Sequence, residues 1–90
     1  MSREQLRSAS EHLAAAADRS TDADRTERLE TIAGQLASLA DADHGPDHGR
    51  MARWENALLE IAEDADDEVV DEVTDAHEAI KEYRSGVEGV

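Results

Sequence analysis

The sequence predicts an all-α fold, a four-helix antiparallel bundle made of paired helical hairpins. Two observations predict it. Apolar residues recur at spacings of three and four in four separate stripes, which is the period of an amphipathic helix. The alternating apolar–polar runs and clustered β-branched and aromatic residues that mark strands are missing.

The first helix opens at Ser2, where Ser2-Arg3-Glu4-Gln5 fits a capping box. Leu6, Ala9, Leu13, Ala16 and Ala17 form its stripe. The run Ala14 to Ala17 has high helix propensity and little bulk, which suits close helix packing. Leu29, Ile32, Ala33, Leu36, Leu39 and Ala40 form the second stripe. Leu13 and Leu29 stand about 160° out of phase on one straight helix, so the chain must break between them. Ser20 and Thr21 are the candidate caps, with Asp22 and Asp24 in the favourable first turn. The second helix is expected over about 21–42, antiparallel to the first.

The stretch DHGPDHGR, 43–50, follows. Gly45 suits a left-handed position just past a helix, and Pro46 suits the first turn of the next. Met51, Trp54, Leu58, Ile61, Ala62 and Ala65 form the third stripe, and Val69, Val73, Ala76, Ile80, Tyr83 and Val87 the fourth. Periodicity alone allows one long helix over 50–86. Acids crowded at 63–68 repel one another inside a helix and are stabilised at a helix start. They favour a break near 64–67. Lys81 and Arg84 fall in the last turns, and Gly86 can end the helix. Leu59 and Val70 sit at the edges of their stripes and are expected to widen the apolar face.

Ninety residues make one domain, 1–90. The chain has no cysteine, and hence no disulfide framework. It shows no apolar run suited to a signal peptide or a membrane span, so a soluble cytoplasmic protein is expected. Its 23 acidic residues against 9 basic ones give a net charge of −14. The basic set is eight arginines and Lys81. Only 15 residues are Leu, Ile or Val, and there is no Phe, a balance close to that of disordered chains. Molar salt reconciles this balance with the strict periodicity. There the Debye length falls to about 3 Å, and repulsion across the surface nearly vanishes. The charge then mainly keeps the protein dissolved. A halophilic protein is the expectation. The same charge argues against nucleic acid and anionic membrane surfaces as partners, because both need clustered Lys and Arg.

Two groups of residues carry candidate chemistry. Asp43, His44, Asp47 and His48, with Asp41 beside them, put imidazoles and carboxylates within a few positions, a donor set suited to zinc or a similar ion. A Gly-Pro corner also commonly carries such residues as turn and cap groups. Arg50, Arg53 and Trp54 are the second group. The arginines lie in the first turns of the third helix, where the dipole disfavours cations. They either pair with Glu55, Asp47 or acids of a neighbouring helix, or bind a small anion or a partner's carboxylate beside Trp54. His12 and His77 read as boundary residues of their helices. The sequence has no Gly-rich phosphate loop, Gly-x-Ser-x-Gly motif or kinase motif set, and small alanine-rich faces leave little volume for a deep pocket. A non-enzymatic interaction or structural module is therefore expected, with no cofactor and no small-molecule substrate. Its expected partner is a second copy, as a homodimer, or another protein, since small cores are often supplemented by oligomerisation. The alternative is a small metal-binding protein using the 41–48 corner.

Ser8-Ala9-Ser10-Glu11-His12-Leu13, Gly45-Pro46-Asp47-His48-Gly49-Arg50-Met51-Ala52-Arg53, Glu82-Tyr83-Arg84 and Val87-Glu88-Gly89-Val90 together resemble small acidic helical proteins of haloarchaea. That family has no assigned activity. The resemblance spans the whole chain and implies a halophilic cytoplasmic origin and an all-helical fold. It implies no catalytic or binding residues.

Overall fold

A computed structural model describes residues 4–40 and 48–88, with side chains described over 4–40 and 49–85. Four helices follow in order: α1 (Glu4–Arg19), α2 (Ala23–Ala40), α3 (His48–Asp64) and α4 (Asp67–Glu88). No strand occurs among the described residues.

Among the described residues each apolar stripe becomes the buried face of its helix. Leu6, Leu13, Leu29, Leu36, Met51, Leu58, Val69, Val73 and Ile80 are the largest fully buried side chains. Ala9, Ala16 and Ala76 are wholly buried among them, which lets the helix backbones approach closely. Leu39, Ala62, Ala65 and Tyr83 pack on the margin of this core. Among the described residues no buried side chain is polar or charged.

α1 lies along both α2 and α4, and α3 lies along α4. The backbones of α2 and α3 stay further apart, and long side chains bridge their seam. Arg25 Nη2 donates to the Asp64 carbonyl at 3.3 Å, so the start of α2 meets the end of α3. Neighbouring helices thus run antiparallel. The 22 residues of α4 correspond to about 33 Å at 1.5 Å per residue, which accounts for most of the 39 Å long axis.

The connections refine the sequence reading. The break between α1 and α2 lies where expected, but the cap is Asp22 rather than Ser20 or Thr21. Asp22 Oδ1 accepts the Arg25 amide at 2.9 Å, and its carbonyl accepts the Thr26 amide at 2.9 Å. Ser20 instead braces the loop, its Oγ accepting the Asp22 amide at 3.3 Å. The expected capping box at Ser2 and the end of α2 at 41–42 lie outside the described residues. The acid-rich stretch breaks the chain at Ala65-Asp66, so α3 and α4 are separate helices. Asp66 starts α4, its carbonyl accepting the Val70 amide at 2.9 Å, and Asp67 and Glu68 occupy the first turn.

One expectation is corrected. Gly86 does not end α4, which continues to Glu88. Glycine only permits a stop and does not impose one. Leu59 extends the apolar face beyond the buried core: it is 52 % exposed, because one position past Leu58 turns it about 100° away from the core.

Candidate functional site

The seam between α2 and α3 holds a groove of about 270 Å³. α2 contributes Arg28, Thr31, Ile32 and Gln35; α3 contributes Arg50, Arg53, Trp54 and Ala57. These positions repeat at three and four residues along each helix, so each set shares one face. Arg50, Arg53 and Trp54, singled out in the sequence, are therefore brought together on one wall. Trp54 is 4 % exposed and anchors the groove floor, where its indole N–H donates to Gln35 Oε1 at 2.9 Å. Arg50 and Arg53 are exposed above it. Among the described residues Arg53 makes no ion pair. Arg28 Nη2 meets Glu60 Oε1 at 3.0 Å, but both side chains are about half exposed. Such a pair contributes about 0–1 kcal/mol, so an incoming anion can recruit Arg28 at little cost. Three guanidinium groups then face one groove of a chain that carries −14 overall. The guanidinium fork matches carboxylates and phosphates two bonds at a time.

Glu55 is not the partner of these arginines. It points across to α4, where Arg84 Nη1 donates to its Oε1 at 2.7 Å and His77 Nε2 lies 3.7 Å from its Oε2. One residue along a helix is a turn of about 100°, which separates Glu55 from Trp54 and carries it to the α3–α4 seam. A second half-buried carboxylate, Glu72 on α4, receives His12 Nδ1 at 2.8 Å and Arg19 Nη1 at 3.1 Å from α1. Each seam of α4 thus has one Glu flanked by an Arg and a His. His12 and His77 are boundary residues, as expected, but both have carboxylate partners on the neighbouring helix. Sequence reasoning missed these two clusters, and it missed Arg28, Thr31 and Gln35. The signal available was position: all but Arg19 lie one step off their apolar stripe, the place from which a long side chain reaches the adjacent helix.

The candidate metal residues Asp43, His44 and Asp47 lie outside the described residues. His48 opens α3, and its side chain lies outside them too. The 41–48 corner gains no support as a metal site.

The fold and the groove define an all-helical bundle protein with an arginine-lined seam. Residues 1–86 match a family of unknown function, DUF7553, and the chain belongs to that family. No curated protein and no solved structure matches the chain. Among the described residues, no helix is long and apolar enough to cross a membrane.

Proposed function

We propose that this protein is a non-enzymatic interaction module of a high-salt cytoplasm, and that its α2–α3 groove binds an acidic segment of a protein partner. The observation that carries this reading is the convergence of Arg28, Arg50 and Arg53 around Trp54. Few cations are available in this chain, and three of nine are committed to one groove. Two acidic proteins repel one another at long range in dilute buffer. In molar salt that repulsion is screened beyond about 3 Å, while guanidinium–carboxylate contacts survive at hydrogen-bond distance. The halophilic origin implied by the resemblance and the binding mode therefore support each other.

A homodimer belongs to the same proposal, but in a particular form. Among the described residues Leu59 is the one exposed large hydrophobic, which gives an apolar dimer interface little to bury. Self-association would instead set one copy's acid-rich surface against the other copy's groove.

Trp54 is the only tryptophan, so its fluorescence reports the groove without a label. The test is titration of the protein in molar KCl with a peptide of alternating Glu and Ala. A saturable change in Trp54 emission is expected. Arg53→Glu should raise Kd about five-fold or more, the equivalent of one lost contact of about 1 kcal/mol. Equal binding by Arg53→Glu, or no saturation, defeats the proposal. Light scattering after size exclusion in the same buffer decides the dimer, which Arg53→Glu should dissociate.

A further inference from the structure

We propose that His12, Glu72 and Asp75 form a binding site for a divalent transition-metal ion, of the zinc class, that clamps α1 to α4. One imidazole nitrogen and one carboxylate oxygen from each acid all lie within 4.8 Å of one another. Metal–ligand distances of about 2.0–2.2 Å place ligand atoms about 3.0–3.5 Å apart around a shared ion. Asp75 is exposed, so rotation of its side chain is the movement that would close that difference. Glu72 and Asp75 stand three residues apart on α4 and so share a face, directly opposite His12 of α1.

The two oxygens of Glu72 have separate tasks. Oε1 lies 2.8 Å from His12 Nδ1, inside the proposed site. Oε2 is held by Arg19 Nη1 at 3.1 Å. The arginine therefore fixes the carboxylate plane while leaving the ligand oxygen facing the imidazole. Such outer partners orient ligating groups in metal sites generally. His12 would bind through Nδ1 as a neutral ring. A proton on Nδ1 in the metal-free protein either moves to Nε2, through solvent, or is released when Nε2 is already protonated.

The donor set chooses the ion. One nitrogen and two carboxylate oxygens suit zinc, cobalt(II) or manganese(II). Calcium takes six to eight oxygens, and magnesium prefers oxygen ligands and retained water, so an imidazole disfavours both. Partial exposure of His12 and exposure of Asp75 leave room for water to complete the coordination shell.

The test is calorimetric titration of the full, untagged chain with zinc in molar KCl, alongside cobalt(II) absorption in the visible range. Binding with Kd below about 100 µM and a cobalt band from nitrogen and oxygen ligands are expected. His12→Ala and Asp75→Asn should each weaken zinc at least tenfold, with Asp75→Asn unchanged in helicity since its site is exposed. Asp71→Asn, a neighbouring exposed acid on α4, should leave Kd within a factor of two. The double variant His44→Ala/His48→Ala should retain binding. Zinc should also raise the Tm of the parent and not of Asp75→Asn, because a ligand of the folded state stabilises it by mass action. Wild-type binding weaker than about 100 µM, survival of binding in His12→Ala and Asp75→Asn, or its loss only in the 44/48 double variant each overturns the site.

Discussion

Replacing Gly34 with alanine should stabilise this protein, and the structure sets the size of the gain. Gly34 lies inside α2, well away from both ends, and its surface is exposed. A Cβ built on it meets nothing within 4 Å. Its backbone is helical, so alanine enters without strain. The gain therefore comes from the unfolded chain, which loses more freedom when glycine folds than when alanine does. Helix propensity puts the difference at about 0.8–1.0 kcal/mol. For a domain of this length about 1 kcal/mol moves Tm by about 4–8 °C. The assay is thermal unfolding followed by circular dichroism at 222 nm in molar KCl, with wild type and Gly34→Ala side by side. A rise of about 4–8 °C is expected. An unchanged or lower Tm would refute the reasoning, because it would mean that this face of α2 is not an open helical surface in solution.

Four further outcomes follow from the same geometry. Leu13→Ala removes a fully buried side chain from the centre of α1 and should cost about 2.7–5 kcal/mol, read as a lower denaturation midpoint with similar slope. Leu59→Gln changes a residue 52 % exposed and should shift stability by less than about 0.5 kcal/mol, in contrast with its neighbour Leu58, which is fully buried. Glu55→Gln should destabilise by about 1–2 kcal/mol, since it removes the negative charge that Arg84 meets at 2.7 Å and that His77 approaches at 3.7 Å. A cycle with Arg84→Met should recover part of that loss as a coupling energy. Raising KCl from low to molar concentration should raise helicity or Tm, because the −14 charge is screened while the apolar core is not weakened. A flat salt response would remove the halophilic reading.

How far the candidate site was legible differs from residue to residue. Arg50, Arg53 and Trp54 are close in sequence on one helix, so their grouping was visible from spacing alone. The other wall was not. Gln35 is 19 residues from Trp54, and Arg28 is 32 from Glu60. Nothing in local periodicity selects such partners. His12 and Glu72 are 60 residues apart and meet only because α1 and α4 lie side by side. Glu55 is one of several acids that the sequence offers Arg50 and Arg53, yet a helical turn aims it at Arg84 instead.

The sequence by itself determined the helices, the break at the acid-rich stretch and most of the core. Those follow from local physics: a 3.6-residue period and the repulsion of adjacent carboxylates depend on near neighbours in the chain. The tertiary structure alone decided which seam is open and which polar side chains cross it. α1 nests closely against α2 and α4 because its buried face is rich in alanine, whereas Trp54 and the long arginines occupy the seam where α2 and α3 stand apart. That choice comes from how four stripes of different bulk pack against one another at once, and packing of that kind is a property of the assembled helices rather than of any one of them.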